Sequence, residues 1–379
     1  MNQFPFIAIL GRQPELGLLE LESRLGPAAL EPFGRQAVRL AMAPPIDELG
    51  GVIKLAEVLY DGPAADIRPV PVDPAVLPVA DEGKTPFAVS VYGIRATPRF
   101  VMAAGLALKK VLGERGSLRL VPPGEGLTVS AAQLRHNRVL ERGFELIVVV
   151  AGQRMVVART VGVQNIDAYA KRDHGRPARS AKVGMLPPKL AQVLVNTTSA
   201  PIVVDPFCGT GVVLQEALLA GRSVIGSDLA PDMVQASRVN LTWLAEETPR
   251  SLGSWSVLEV DARVARLPVE PCAIVSEGYL GPNLTTAPPP ARLKEIRAEL
   301  RALYVAALTH WAAQLPPGAE LALCAPAWRT AKGWQYLGVV DDLPRLGYTM
   351  KVFKHVPAPV LYARPDQVVG RQLLLLRKR

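Results

Sequence analysis

The clearest hydrophobic pattern lies in the middle of the chain, where two short β-branched runs flank an apolar segment with helical spacing. The first run is Ile202 to Val204, and the second ends at Asp228. Between them, residues 205–211 read Asp-Pro-Phe-Cys-Gly-Thr-Gly. A strand, a glycine turn, a helix and a second strand form a βαβ unit. This stretch therefore predicts an α/β fold built on a largely parallel sheet.

The turn of this unit indicates a site for a nucleoside-containing cofactor. Gly209 and Gly211 allow the backbone to approach a ligand, toward which the amides of the following helix point. Asp228, at the end of the second strand, is placed to hold a ribose. A dinucleotide fingerprint needs a third glycine where this chain has Leu214. The carboxylate of Asp205 instead suits a cofactor with an ammonium group, such as S-adenosylmethionine.

The amino-terminal half has a different pattern, in which short strands and two amphipathic helices precede a hairpin. Residues 1–60 read as a β-α-β-β, ferredoxin-like α+β unit with its helix at Pro14 to Leu25. Residues 61–86 are rich in Pro, Ala and Asp, which is typical of a linker or surface loop. Residues 87–165 contain a helix near 98–112 and end in a hairpin around Gly152-Gln153.

The carboxyl-terminal half continues the α/β pattern. Further strands are expected at 255–260, 272–275, 320–324, 348–355 and 372–376, with helices from Pro231, over 292–315 and before Leu346. We predict that residues 191–379 form one domain with a seven-stranded mixed sheet, and that residues 166–190 connect it to the amino-terminal half.

Several segments resemble those of a known enzyme family. Residues 205–211 resemble motif I of the class I methyltransferases that act on nucleic-acid amino groups. Upstream, Arg-Asp-x-x-Arg-Pro at 172–177 and Pro-Lys-Leu-Ala at 188–191 resemble the segments before motif I in tRNA guanosine N2-methyltransferases of the archaeal and eukaryotic type. The latter segment corresponds to motif X of that family. The strands and helix of residues 87–165 resemble the THUMP domain, which delivers tRNA to several modification enzymes.

The resemblance implies S-adenosylmethionine as the cofactor and a Rossmann-like fold for the carboxyl-terminal domain. Asp261, after the strand at 255–260, corresponds to the motif III acid that accepts the adenine amino group; otherwise it is a turn or cap residue. The cofactor-binding residues implied in this way are Asp205, Pro206, Phe207, Gly209, Gly211, Asp228, Leu229, Asp261 and Ala262.

The catalytic motif of the family is present in a variant form. Amino methyltransferases carry Asn, Asp or Ser, then two prolines, then an aromatic residue, and this chain has Ser276, Glu277, Gly278 and Tyr279. The polar and aromatic ends can hold the exocyclic amine and stack on the base. The two prolines, which fix φ, are replaced. Either Glu277 supplies a carboxylate that accepts from the amine, or catalysis is weakened, altered or lost.

Charge favours a polyanionic partner. The chain has 43 Lys and Arg against 34 Asp and Glu, a formal net charge of +9. Candidate RNA contacts are Arg135, Arg138, Arg172, Arg176 and Arg179. The alternatives are a solvated basic face for the first two and an interdomain ion-pair network for the others. The expected partner is tRNA or another structured RNA; a protein partner subunit is left open.

Cysteine usage and the start of the chain bear on location. The three cysteines are far apart and have no metal-ligand spacing, so we expect neither a zinc site nor disulfides. The amino terminus shows no cationic leader, and no segment approaches the roughly 20 apolar residues of a membrane span. These features predict a cytoplasmic protein without a membrane partner.

The expected activity is transfer of a methyl group from S-adenosylmethionine to the N2 amine of a guanosine in tRNA. Two alternatives stay open at this point. The first is an adenine N6 DNA methyltransferase, which uses the same motifs. The second is a catalytically degenerate protein that binds S-adenosylmethionine and RNA but has lost turnover through Glu277 and Gly278.

Overall fold

The computed structural model describes residues 3–179 and 186–379, and the chain divides into two units, Met1–Ala168 and Tyr169–Arg379. Residues 180–185, which belong to the predicted connector 166–190, lie outside the described residues. The five-segment division expected from the sequence stays a prediction.

The first unit is an α+β arrangement of helices and strands. Its elements are β1 Phe6–Leu10, α1 Pro14–Leu25, β2 Leu30–Pro32, β3 Ala37–Leu40, β4 Val52–Pro63, β5 Lys84–Tyr92, α2 Pro98–Leu112, β6 Ser117–Val121, α3 Ala131–His136, α4 Val139–Arg142, β7 Phe144–Ala151 and β8 Arg154–Val163. Short 3-10 turns occur at Pro27–Ala29, Ile46–Glu48 and Pro74–Val76.

One sheet runs through this unit in the order β2-β3-β1-β4-β8-β7-β5-β6. The predicted hairpin is present as β7 and β8, which pair antiparallel around Gly152. Strand β4 pairs antiparallel with β8 from Lys54 opposite Val163 to Pro63 opposite Arg154. The apolar pattern of the sequence predicts a strand from Val52 to Leu59, and the pairing with β8 extends it to Pro63. Strand residues of 1–63 and 84–163 therefore share the same sheet.

A buried charge network lies under this sheet. Lys54 pairs with Glu145, whose oxygens also accept from Ser90 Oγ (2.6 Å) and Thr160 Oγ1 (2.7 Å). The Lys54 ammonium donates to the carbonyl of Val129 at 2.7 Å. These bonds satisfy a charge pair that would otherwise be costly to bury, and they join β4, β5, β7 and β8.

The second unit is an α/β domain. Its elements are α5 Ile166–His174, which begins in the first unit, α6 Pro188–Asn196, β9 Ile202–Asp205, α7 Val212–Leu219, β10 Ser223–Asp228, α8 Pro231–Glu247, β11 Trp255–Glu259, β12 Cys272–Glu277, α9 Pro290–Ala312, β13 Glu320–Thr330, β14 Gly333–Tyr336, β15 Tyr348–Met350, β16 Val360–Tyr362 and β17 Val369–Lys378.

The sheet of the second unit has the strand order β11-β10-β9-β12-β13-β17-β15. Strands β11, β10, β9, β12 and β13 are parallel, and β17 runs antiparallel to β13 and β15. This path confirms the predicted seven-stranded mixed sheet. Two further short strands, β14 and β16, pair with β13 and β17. The helix expected before Leu346 is a 3-10 turn, Val339–Asp342.

The strand order decides where a ligand site belongs. From β9 the chain passes to β10 on one side, whereas β12 lies on the other side of β9, so the order reverses between β9 and β12. In open α/β sheets, ligands bind at the carboxyl ends of the strands at such a point. Helix α9 covers this part of the sheet with the buried side chains of Leu300, Tyr304 and Trp311. Among residues 3–179 and 186–379, no helix has both the length and the apolar character needed to cross a membrane.

Candidate functional site

The centre of the site is a buried pair of polar side chains at the carboxyl ends of β9 and β12. Asp205 ends β9 and is 1% exposed, and Ser276 lies near the end of β12 and is 0% exposed. The Ser276 hydroxyl donates to Asp205 Oδ1 at 2.5 Å. The structure thus brings together two residues that are 71 positions apart and were assigned to different motifs.

The environment of Asp205 makes it titrate near neutrality. Burial raises its pKa to about 7, while hydrogen bonds from Ser276 and from the Phe207 amide (3.1 Å) act in the opposite direction. The negative charges of Asp228 and Glu277 add to the rise. A cation bound beside this carboxylate would lower its pKa and relieve the cost of its charge.

The glycine turn follows Asp205 directly and is fixed by the second acidic residue. The Gly209 amide donates to Asp228 Oδ2 at 2.9 Å, and the Ala230 amide donates to Asp228 Oδ1 at 3.0 Å. Gly209 and Gly211 have φ values of +50° and +82°, which favour glycine. At Gly211 a Cβ would also lie 3.0 Å from Ser237 Oγ. Asp228 therefore shapes the turn through both oxygens of its carboxylate.

Helix α8 supports the same turn through two residues whose role the sequence did not reveal. Ser237 Oγ donates to the carbonyl of Gly209 at 2.7 Å. Asn240 Nδ2 donates to the carbonyl of Thr210 at 2.8 Å and to that of Ala178 at 2.9 Å, and Asn240 Oδ1 accepts from the Ala178 amide at 2.9 Å. Ser237 and Asn240 share one helical face with apolar Val234, Leu241 and Leu244, and this polar interruption of a buried face is the signal that could have identified them.

The variant catalytic motif is held by side chains from two other elements. Glu277 forms an ion pair with Arg371 of β17. The Tyr304 hydroxyl of α9 donates to the carbonyl of Cys324 at 3.0 Å and lies 3.3 Å from the carbonyl of Tyr279. A Cβ on Gly278 would overlap the Tyr304 hydroxyl and lie 2.6 Å from Tyr304 Cζ. Tyr279 itself is 49% exposed, so its ring is available to a ligand.

The remaining predicted cofactor residues have differing surroundings. Leu229, directly after β10, is 67% exposed. Asp261 pairs with Arg263 at 2.6 Å, which lowers the pKa of that carboxyl. Ala262 is buried, and its carbonyl accepts from Trp311 Nε1 at 2.9 Å. Pro206 is buried, and Phe207 stacks on Tyr304 with ring centroids 6.4 Å apart.

The arginines predicted to bind RNA fall into two groups. Three of them are accessible to solvent: Arg135, Arg138 and Arg179. Arg135 also forms an ion pair with Asp167. Arg172 instead forms a bidentate pair with Glu216 of α7 (2.6 and 3.2 Å). Arg176 is 2% exposed, and its burial lowers the pKa of the guanidinium. Arg172 and Arg176 therefore pack into the second unit in this conformation, and RNA contact by any of the five arginines stays a prediction.

Curated proteins of known name match part of this chain. No family model matches the chain. The tRNA (guanine(10)-N2)-dimethyltransferase of Methanothermobacter thermautotrophicus is 33% identical over 153 residues, which are 39% of this chain and 43% of that relative. The protein of the same name from Pyrococcus abyssi is 46% identical over 59 residues, 15% of this chain and 18% of that relative. The chain thus spans less than half the length of either relative.

Solved structures match over nearly the whole chain. TrmN from Thermus thermophilus aligns with a TM-score of 0.56 and 20% identity, covering 99% of both chains. The putative methyltransferase SMU.472, solved with SAH, aligns with a TM-score of 0.52 and 12% identity, covering 100% of this chain and 99% of that one. These matches confirm the predicted class I methyltransferase fold, and the curated relatives bear out the family resemblance stated from the motifs.

Proposed function

We propose that this chain transfers a methyl group from S-adenosylmethionine to the exocyclic N2 amine of a guanosine in tRNA. The observation that carries the proposal is the meeting of Asp205, the glycine turn, Asp228 and the Ser276–Tyr279 segment at the reversal of strand order. The names of the two archaeal relatives support guanine N2 and tRNA as the target.

The residues of the turn fit the proposed cofactor. Asp205 is a buried carboxylate with a raised pKa, so it gains from a neighbouring ammonium group. Gly209 has open space where a Cβ would stand, which leaves room for a ligand against the backbone. Asp228 is proposed to hold the ribose, and exposed Leu229 and half-buried Asp261 are proposed to contact the adenine. When bound, S-adenosylmethionine supplies an activated methyl group.

The Ser276–Tyr279 segment is proposed to hold the base. An exocyclic amine is a poor nucleophile because its lone pair is delocalised into the ring, so its orientation matters. The Ser276 hydroxyl donates its one hydrogen bond to Asp205, so toward a base its oxygen is proposed to accept from an N–H group. The half-exposed ring of Tyr279 offers a stacking surface for a guanine turned out of its helix.

The first unit is proposed to deliver the RNA, in line with the THUMP resemblance of residues 87–165. Exposed Arg135 and Arg138 are its candidate phosphate contacts, and exposed Arg179 is the candidate contact of the second unit. The three cysteines are free and buried, which is compatible with the proposed cytoplasmic location.

The test is transfer of labelled methyl from S-adenosylmethionine to unmodified tRNA, rRNA and DNA in parallel, followed by digestion to nucleosides. We expect label in N2-methylguanosine from tRNA. Label in N6-methyladenine from DNA would establish the alternative enzyme. Cofactor binding without transfer to any substrate would identify a degenerate binding protein.

A further inference from the structure

The Ser276–Tyr279 segment lacks the two prolines that stiffen this motif, yet each of its replaced positions is held by a distant side chain. Glu277 and Arg371 are 94 positions apart in sequence and meet because β12 and β17 flank β13. Tyr304 is contributed by α9, which packs over the same strands. The contacts from Arg371 and Tyr304 therefore fall on the same four-residue segment in which the two prolines are replaced.

The Arg371 side chain is well suited to fix Glu277. It is almost fully buried, with 3% of the side chain exposed, and its guanidinium lies 5.8 Å from the centre of the Tyr362 ring. A planar guanidinium between a carboxylate and a ring has little freedom to move. Glu277 in turn has its carboxylate directed at β17 by this pair, and its Oε1 atom accepts from Arg371 Nε.

The Tyr304 side chain acts on the next two residues. Its hydroxyl contacts the Tyr279 carbonyl (3.3 Å) and fills the space in which a side chain at position 278 would stand. The Tyr304 hydroxyl thus leaves no room for a side chain at position 278. The same hydroxyl restricts the backbone motion that a glycine would otherwise allow. The Phe207 ring stacks on Tyr304 and so connects this side chain to the cofactor turn.

We propose that Arg371 and Tyr304 are positioning residues that give the Ser276–Tyr279 segment the rigidity supplied by two prolines in related enzymes. This inference rests on the proposed methyl transfer. Arg371 and Tyr304 act through Glu277 and through the backbone of Gly278 and Tyr279. A shift of about 1 Å in the groups that orient the amine is enough to slow a reaction that depends on such orientation by up to about 100-fold.

The hydroxyl is tested with Tyr304→Phe, which keeps the ring. We expect the single-turnover rate of methyl transfer to tRNA to fall about ten-fold or more. The cofactor Kd should stay within about two-fold, because phenylalanine keeps the ring that stacks on Phe207 of the cofactor turn, and the amides of 278–281 should exchange faster with deuterium. The matched control is Tyr348→Phe, which removes another buried hydroxyl that donates to a backbone carbonyl, that of Leu308 at 2.9 Å.

The ion pair is tested with Arg371→Lys and Arg371→Met. Lysine keeps the charge without the planar donors, so it should restore part of the rate lost with methionine. Because Arg371→Met leaves a carboxylate without its cation, Glu277→Gln/Arg371→Met is measured beside it. Glu320→Gln/Lys351→Met is the control, since Glu320 has the same 15% exposure as Glu277, the pair (2.9 Å) lies in the same unit, and Lys351 at 17% is more exposed than Arg371 at 3%.

The inference is supported if the site variants lose rate and the controls keep it. It is overturned if Tyr304→Phe slows transfer no more than Tyr348→Phe, or if the exchange of amides 278–281 equals that of the wild type. If the wild type transfers no methyl group, the proposed function fails instead. The exchange of amides 278–281 then still decides whether Tyr304 fixes the segment.

Discussion

The pH dependence of cofactor binding follows from the burial of Asp205. With a pKa of about 7, this carboxyl is ionised in about 3% of molecules at pH 5.5 and in about three quarters at pH 7.5. An α-amino group with a pKa near 7.7 to 8.0 stays mostly protonated over this range. If the ammonium binds only to ionised Asp205, the apparent Kd varies inversely with that fraction. Because part of the ammonium is itself deprotonated by pH 7.5, we expect binding about 15- to 20-fold tighter at pH 7.5 than at pH 5.5.

Isothermal titration of S-adenosylmethionine at half-unit pH steps measures this dependence. Asp205→Asn should bind more weakly and show a flat profile. Ser276→Ala removes a hydrogen bond that lowers the Asp205 pKa, so its profile should shift to higher pH. A wild-type Kd that does not change between pH 5.5 and 7.5, or the same slope in Asp205→Asn, would refute the assignment of Asp205 to the ammonium.

The same carboxyl links stability of the ligand-free protein to pH. Its folded pKa lies above the reference value of 3.8, so between about pH 4 and pH 7 the folded state holds more protons than the unfolded state. The free energy of unfolding therefore falls as pH rises through this window, by a contribution on the order of 4 kcal/mol. Asp205→Asn should remove this contribution from a series of urea titrations.

Three substitutions test other contacts. Gly278→Ala introduces a Cβ that overlaps the Tyr304 hydroxyl, and it should lower the unfolding free energy by about 1–3 kcal/mol in urea titration; unchanged stability would contradict the packing. Glu145→Gln leaves the buried Lys54 ammonium without its anion and should cost about 3–5 kcal/mol in the same assay, whereas a loss below about 1 kcal/mol would show that the pair is dispensable. Asn240→Ala removes three hydrogen bonds, so deuterium exchange at the Ala178 amide should accelerate, and an unchanged rate would count against the support from α8.

Local patterns in the sequence predict the elements well where a helix or strand carries its own signal. Pro14–Leu25 and Pro98–Leu112 have the bounds expected from a proline at the start and an apolar periodicity. The βαβ unit around the glycine turn is also present as β9, α7 and β10. The long pairing of β4 with β8 was not predictable, because it depends on contacts between residues about 100 positions apart.

The candidate site shows the same division between local and distant information. The glycine turn, Asp205 and Asp228 could be predicted from the types and order of residues along one βαβ unit. The bond from Ser276 to Asp205 needs the strand order, and the pairing of Glu277 with Arg371 needs the register of β13 and β17. From the sequence, Glu277-Gly278 reads as a loose replacement for two prolines, because the residues that hold it lie on α9 and β17.

The most direct test of the central claim uses a tRNA transcript in which inosine replaces guanosine, beside the normal transcript. Inosine lacks only the N2 amine, so the proposed acceptor is removed while the rest of the base stays available to Tyr279. We expect labelled methyl to enter the normal transcript as N2-methylguanosine and the inosine transcript to stay unlabelled, with binding of both transcripts retained. Equal labelling of the two transcripts would contradict methyl transfer to the guanosine N2 amine.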